Sequence, residues 1–206
     1  MRFKEEYTTV YFVRHGQTDY PTNRIYCDNT EDPVLSSSGF MQAEAAATWF
    51  KNKSIDLILT SPSNRTFATA NKIATLQSCA VEKADELVER RFGIWEGLYF
   101  EEIEKQFPDD YLQWKIDKVG FTPKNGETIV DVQDRLKQFL SRTLIENKSK
   151  NIVVVSHVGP IRISLCESIG IPIENYRHIH IDYASISRVD YGDKTNNVVG
   201  MNFVTY

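Results

Sequence analysis

The residues of this chain best suited to chemistry are two arginines and two histidines: Arg14, His15, Arg65 and His157. An arginine suits a phosphate ester because its planar guanidinium binds two oxygens at once and keeps its charge. A neutral imidazole can attack phosphorus and carry the phosphoryl group as a covalent intermediate. A single histidine or arginine is more commonly structural, so the prediction of phosphoryl transfer depends on these side chains lying together.

The positions of these residues in the sequence indicate that they do. Short apolar runs typical of buried strands cover Thr9–Val13, Ile55–Thr60 and Asn151–Ser156. Each candidate side chain follows closely after the end of one run. Because ligands bind beyond the carboxyl ends of the strands in open α/β sheets, the candidates should converge if the three strands are neighbours.

The remaining pattern predicts the fold class. Helical spacing of apolar residues covers Phe40–Lys51, Asn64–Leu76, Glu127–Glu146 and Ile161–Ser168, and Pro160 suits the first position of the last helix. Two further apolar runs, Ala184–Asp190 and Val198–Val204, predict an antiparallel edge hairpin. Strands that alternate with helices predict an α/β fold, a three-layer sandwich with a mostly parallel central sheet flanked by helices.

Backbone groups near the candidates could also bind an anion. Gly16 has no side chain, so its backbone can come close to a phosphoryl oxygen. The pair Asn64-Arg65 begins a predicted helix, whose first amides and positive dipole end favour negative charge.

The bulk composition limits the other possibilities. The chain has 206 residues with 41% hydrophobic and 25% charged residues, which predicts one domain over residues 1–206. A net charge of −4 argues against a nucleic-acid partner, and no apolar run approaches the ~20 residues of a membrane span. Acidic residues within Met1–Glu6 argue against a secretory leader. Widely spaced Cys27, Cys79 and Cys166 predict free thiols in the cytoplasm rather than disulfides or a zinc site.

Five segments together resemble the histidine phosphatase superfamily, which includes the phosphoglycerate mutases and many small-molecule phosphatases. They occur in the family's order, at residues 13–18, 32–43, 60–70, 87–97 and 155–157. The resemblance runs from the first predicted strand to the last hairpin and implies the phosphoglycerate mutase-like form of the predicted fold.

The resemblance also implies roles for individual residues. His15 falls on the position that becomes phosphorylated, within a signature that continues through Gly16, Gln17 and Thr18 and implies phosphate binding. Arg14, Arg65 and His157 fall on positions that contact the phosphoryl oxygens. The mechanism implied is metal-independent and needs no cofactor.

A departing alkoxide needs a proton, so a carboxylic acid should lie over the leaving group. The residue types alone leave Glu86, Glu89 and Glu96 as candidates, and the resemblance selects Glu89. The same carboxylate could activate water in a second step. The alternative for Glu89 is a surface carboxylate paired with Arg90 or Arg91.

The chain departs from the family pattern in three places. The asparagine usual after the signature is absent, so the alignment brings Asn23 or Arg24 towards the site with altered spacing. After His157, Val158 replaces a small residue, and Pro160 cannot donate a backbone hydrogen bond. The block at residues 92–97 differs from that of the mutase branch, which favours a phosphatase.

These observations predict a phosphatase that hydrolyses phosphomonoesters of small metabolites, with no membrane or nucleic-acid partner, as a monomer or homodimer. A phosphoglycerate mutase-like transferase and an inactive phospholigand-binding domain are the alternatives. Specificity is expected from the insertion around residues 98–126, whose aromatic residues suit either a local core or the rim of a pocket. Its aromatic residues are Tyr99, Phe100, Phe107, Tyr111, Trp114 and Phe121. His178 and His180 are predicted to be structural.

Overall fold

A six-stranded sheet forms the centre of the molecule in a computed structural model that describes residues 6–26 and 31–206. The strands are β1 (Thr8–Arg14), β2 (Leu57–Thr60), β3 (Val81–Lys83), β4 (Asn151–Ser156), β5 (Ile186–Tyr191) and β6 (Asn196–Phe203). Their order in the sheet is β3-β2-β4-β1-β5-β6. The first four strands of that order are parallel, whereas β5 and β6 are antiparallel to their neighbours.

Helices cover both faces of this sheet. They are α1 (Ser37–Phe50), α2 (Asn64–Gln77), α3 (Phe100–Gln106), α4 (Pro108–Ile116), α5 (Ile129–Glu146) and α6 (Val158–Ile169). On β1, Val10 and Phe12 pack in one core with α5 and α6, whereas Tyr11 and Val13 pack in the other with α1 and α2. This alternation follows from the two-residue period of a strand. The predicted three-layer α/β sandwich is confirmed.

Most boundaries lie within 3 residues of the predicted ones, and two differences have a clear physical reason. The edge strand β3 was not predicted, because three residues are too few to show a pattern. Helix α6 begins at Val158, so Pro160 is its third residue and not its first. A proline fits there because the first four amides of a helix have no partner within the helix. Cys79 and Cys166 are free thiols, and Cys27 lies outside the described residues.

The segment at residues 98–126 contains α3 and α4, which share a small apolar cluster with the loops beside them. Ile25, Trp95 and Ile103 are its buried centre. Partly buried around them lie Phe92, Ile94, Leu98, Phe100, Phe107, Tyr111, Trp114 and Phe121. Most aromatic residues of this segment therefore serve a local core. No helix within the described ranges has the length and apolar character to span a membrane.

Candidate active site

The carboxyl ends of β1, β4 and β2 meet at one edge of the sheet because these strands are neighbours in that order. This edge brings the four candidate side chains together. The ring centroids of His15 and His157 are 5.3 Å apart. Nη2 of Arg65 lies 3.0 Å from Nδ1 of His157. Arg14 precedes His15 at the end of β1.

His15 is a neutral imidazole, and one of its two ring nitrogens is unprotonated. Its Nδ1 lies 2.8 Å from the carbonyl oxygen of Gly16. Since a carbonyl only accepts, Nδ1 carries the proton and Nε2 keeps its lone pair. The ring is only 2% exposed, and burial, followed by the charges of Arg65 and Arg14, lowers the pKa of His15 well below its usual 6.5. The Gly16 contact opposes this shift without reversing it.

His157 has the opposite tautomer. A guanidinium can only donate, so Nδ1 of His157 accepts from Arg65. Its Nε2 then carries the proton and donates to Oγ of Ser61 at 2.9 Å. Burial is the first cause that lowers the pKa of His157 well below 6.5, and the charge of Arg65 is the second.

The two arginines have different surroundings. Arg65 is in the first turn of α2 and is 0% exposed. Arg14 donates from Nη1 to the carbonyl of Ile181 at 2.7 Å. Its Nε is buried without a hydrogen-bond partner among the described residues. A buried guanidinium with an unused N–H can donate to an anionic oxygen.

The expected amide donor at the start of α2 is already engaged. The Asn64 amide donates to both carboxylate oxygens of Asp32, at 2.9 and 3.0 Å. The same carboxylate lies 3.6 Å from Nη1 of Arg65. A side-chain anion thus uses the Asn64 amide that the sequence assigned to a phosphate.

Glu89 points towards the His157 end of the site. Its Oε1 accepts from the backbone amide of Arg90 at 2.8 Å, and its Oε2 accepts from the amide of Gly159 at 3.2 Å. The predicted alternative was a surface pair with the side chain of Arg90 or Arg91, and for Arg90 the described contacts are different. That guanidinium instead donates to the carbonyls of Glu127 and Phe121.

Long-range contacts fix the loop that carries Glu89. Ser156, at the end of β4, donates from Oγ to the carbonyl of Leu87 at 2.7 Å. Arg135 on α5 donates to the carbonyl of Glu89 at 3.3 Å. The other two candidate acids have other partners: Glu86 pairs with Arg142 at 2.7 Å, and Glu96 accepts from the amide of Phe92.

The packing of the loop after β1 requires a glycine at position 16, in addition to the predicted close contact with a phosphoryl oxygen. A Cβ at Gly16 would lie 2.4 Å from the carbonyl oxygen of Gly39, at the start of α1. The Gly16 amide donates to Oγ1 of Thr69 on α2 at 3.1 Å. The loop after β1 is therefore held between α1 and α2, and its contact with an oxyanion stays a prediction.

The candidates in the loop after His15, which are Gln17, Thr18 and Asn23, have partners outside the His15 cluster. Gln17 is exposed, and its amide donates to the side chain of Gln42. Thr18 contacts the hydroxyl of Tyr26 at 3.1 Å. Asn23 is exposed, with its carbonyl accepting from the amide of Phe100.

Arg24 is directed into other contacts than the site. It donates to the carbonyl of Gly97 from Nε at 2.7 Å, and its two Nη atoms bind Glu31 at 2.8 and 2.7 Å. All three nitrogens of this guanidinium are thus engaged outside the His15 cluster.

Two tyrosines that the sequence analysis did not single out line the cluster. The rings of Tyr26 and Tyr183 lie 6.4 and 5.7 Å from the ring of His15. A signal for Tyr183 existed in the sequence. An antiparallel strand begins at the edge where its parallel neighbour ends, and Ile186 of β5 pairs with Val13 of β1. Once β5 is known to pair with β1, the residues just before the predicted hairpin are expected near His15.

Comparison with known proteins gives the family. Residues 10–204 match the model of the histidine phosphatase superfamily, branch 1. The chain belongs to the histidine phosphatase superfamily. Because this match covers most of the chain, the resemblance stated from the sequence segments is confirmed.

The relatives of this superfamily member include several phosphatases. The chain is 29% identical over 195 residues to phosphoserine phosphatase 1 of Hydrogenobacter thermophilus, covering 94% of this chain and 92% of the relative. It is 29% identical to the adenosylcobalamin/alpha-ribazole phosphatase of Escherichia coli over 90% and 91% of the two chains. The solved mycobacterial glucosyl-3-phosphoglycerate phosphatase matches with a TM-score of 0.85 and 25% identity over 96% and 99%.

The neutral buried histidines should make this superfamily member sensitive to mild acid. In the unfolded chain both His15 and His157 gain protons below pH 6.5, whereas their lowered pKa values delay protonation in the folded state. Their contribution to stability is therefore complete above pH 6.5 and is lost as the pH falls towards the folded pKa values. We expect the free energy of unfolding to fall as the pH drops below 6.5, by on the order of 1 kcal/mol per pH unit for each histidine.

Urea unfolding at several pH values measures this slope. Carboxylates contribute little to it because they titrate at lower pH in the unfolded chain. In His15→Gln the slope should fall by about half. An unchanged slope in that variant would contradict the assignment of a neutral His15.

The contact between Gly159 and Glu89 gives a second prediction. A Cβ at Gly159 would lie 2.3 Å from Oε1 of Glu89, so Gly159→Ala should push this carboxylate away while the backbone is retained. The family resemblance implies that Glu89 is the general acid. If its carboxylate is misplaced, we expect kcat/KM for an alkyl phosphate to fall about 10²-fold. Phosphate release measures the loss of activity, and circular dichroism measures whether the backbone structure is retained. Gly200→Ala is the control, since its Cβ would meet nothing within 4 Å.

Proposed function

We propose that this chain is a metal-independent phosphatase that hydrolyses phosphomonoesters of small metabolites through a phosphohistidine on His15. The observation that carries the proposal is the tautomer of His15, whose unprotonated Nε2 belongs to a neutral ring influenced by the charges of Arg14 and Arg65. A nucleophile with a free lone pair beside two fixed cations is what transfer of a phosphoryl dianion requires.

In the first step, Nε2 of His15 attacks phosphorus and the bond from phosphorus to the ester oxygen breaks. Arg14 and Arg65 bind the non-bridging oxygens, with the unused Nε–H of Arg14 as one donor. We propose that His157 contacts a phosphoryl oxygen through its Nε2–H, which exchanges Ser61 for that oxygen. Glu89 in its protonated form gives its proton to the departing oxygen, so the alcohol leaves neutral.

In the second step, the Glu89 carboxylate accepts a proton from water, and the hydroxide formed attacks the phosphorus of phosphohistidine. The bond from phosphorus to Nε2 breaks, inorganic phosphate leaves, and both side chains return to their starting forms. Two backbone amides hold Glu89 in one place, so a single carboxylate can serve both steps.

The comparisons support the reaction class more than the substrate. Relatives named as phosphatases of phosphoserine, alpha-ribazole and glucosyl-3-phosphoglycerate share the reaction but differ in the group that carries the phosphate. We therefore propose the segment at residues 98–126 as the part of this single domain that selects the leaving group, through the residues of its outer surface.

The test is release of inorganic phosphate in the presence of a chelator. The panel contains p-nitrophenyl phosphate, phosphoserine, nucleoside monophosphates and a phosphopeptide. We expect hydrolysis of small phosphomonoesters and a radiolabelled phosphoenzyme that is stable in alkali and labile in acid. Loss of activity in chelator, or no turnover of any ester, would contradict the proposal.

Adding phosphoglycerate to this panel separates the two alternatives. A phosphoglycerate mutase-like transferase would return the phosphoryl group to a sugar acid, which product analysis with phosphoglycerate detects. An inactive phospholigand-binding domain would bind phosphate without forming a phosphoenzyme. The fixed position of Glu89 on the amide of Gly159, two residues after His157, speaks against this last alternative, since a ligand-binding domain has no use for an acid held there.

A further inference from the structure

Each of the two phosphate-binding arginines lies under a tyrosine ring. The guanidinium carbon of Arg14 is 3.7 Å from the ring centroid of Tyr183, and that of Arg65 is 4.3 Å from the centroid of Tyr26. We propose that Tyr183 and Tyr26 are positioning residues that hold Arg14 and Arg65 in the planes from which they bind the phosphoryl oxygens. This inference rests on the proposed phosphatase function.

The physical reason is the direction of the hydrogen bonds of a guanidinium. Its N–H groups point outwards in the plane, whereas its two faces make no hydrogen bonds. A tyrosine ring on one face attracts the cation through its negative quadrupole and leaves the N–H edge open to oxygens. Hydrogen-bonding side chains in the same place would use the donors that the phosphate needs.

Both tyrosine rings also lie beside the nucleophile. The ring of His15 contacts that of Tyr183 in a tilted geometry and that of Tyr26 edge to face. Tyr26 is itself fixed, because Tyr20 stacks on it at 4.7 Å and its hydroxyl lies 3.1 Å from Oγ1 of Thr18. The two rings therefore restrict His15 as well as the arginines.

The turn that carries Tyr183 has a strained backbone, and hydrogen bonds from other parts of the chain hold it in place. Ala184 has φ of 49°, a left-handed conformation that a residue with a side chain rarely adopts. The amide of Ala184 donates to the carbonyl of His15 at 3.1 Å, which ties this turn to the nucleophile. Asp182 and Asn202 share two hydrogen bonds of 2.6 and 2.9 Å that fix the turn to strand β6.

Such strain persists only where the surroundings enforce it, and it is frequent at functional sites. A relaxed turn before β5 would direct the side chain of residue 183 elsewhere. The edge hairpin of the sheet therefore determines the orientation of Tyr183, and through it that of Arg14.

The test compares Tyr183→Phe with Tyr183→Leu in the full chain. The phenylalanine keeps the ring, so we expect its dissociation constant for vanadate and its KM to stay within about twofold of the parent protein. The leucine removes the ring, and both constants should rise about tenfold, the fold-change that a desolvated cation–π contact of ~1.4 kcal/mol represents. Tyr26→Leu tests the Arg65 side, and Tyr26→Phe shows how much of its effect comes from the hydroxyl contact with Thr18.

Trp49→Leu is the matched control, because Trp49 makes a cation–π contact of 3.9 Å with Lys53 at the end of α1 that is remote from Gly16. It should leave vanadate binding unchanged. Equal vanadate binding by the leucine variants and the parent protein would overturn the inference, as would equal losses in the phenylalanine and leucine variants. If the parent protein hydrolyses no phosphomonoester, the proposed function fails instead, and the two failures remain distinguishable.

Discussion

His15→Ala is expected to lower kcat for every phosphomonoester by about 10⁴-fold or more, because no other group can then form the covalent intermediate. His157 does not replace it, since its Nδ1 and Nε2 are engaged with Arg65 and Ser61. The phosphoenzyme should also disappear. Stopped assays with a labelled substrate measure both quantities on the same samples.

The control for this variant is His178→Ala, which removes an exposed histidine. It should retain full activity and the labelled intermediate. The proposed nucleophile would be wrong if His15→Ala still gave a phosphoenzyme in normal yield. Inorganic phosphate should still bind to His15→Ala, because Arg14 and Arg65 remain in place.

Glu89→Gln is the second change with a large expected effect, and its size should depend on the leaving group. For an alkyl phosphate the departing oxygen needs a proton, so kcat/KM should fall by about 10²- to 10⁴-fold. For p-nitrophenyl phosphate the first step needs little assistance, but water activation is lost. We therefore expect a burst of one equivalent of nitrophenol followed by slow turnover.

Rapid mixing with p-nitrophenyl phosphate measures the burst, and acid-labile label measures the trapped phosphohistidine. Glu86→Gln is the matched control, since Glu86 was an equal candidate by sequence and its carboxylate pairs with Arg142. A loss that is the same for alkyl and aryl esters would contradict the general acid assignment. A burst in Glu86→Gln would transfer that role to Glu86.

Arg14 and Arg65 act on both His15 and the phosphoryl group in the proposed mechanism. Their charges add to the effect of burial and lower its pKa, so the ring is neutral, and in the proposed reaction the same arginines bind the phosphoryl oxygens. The pH range in which His15 is unprotonated should therefore extend well below 6.5.

Much of the fold follows from local patterns. The runs around β1, β2 and β4 are apolar enough to require burial on both faces, and strand ends in such sheets collect binding groups. The short strand β3 and the first residue of α6 could not be predicted, because a three-residue strand and a helix cap depend on neighbours distant in sequence.

By itself the sequence determined which residues are available for chemistry: Arg14, His15, Arg65 and His157, and the family that carries them in this order. Only the tertiary structure decided how those residues are set. The tautomer of His15, the Asp32 contact with α2 and the diversion of Arg24 to Glu31 are examples. So is the placement of Tyr183 over Arg14. The physical reason is that hydrogen bonds and ring contacts are directional and join distant segments, whereas a sequence pattern records only local spacing.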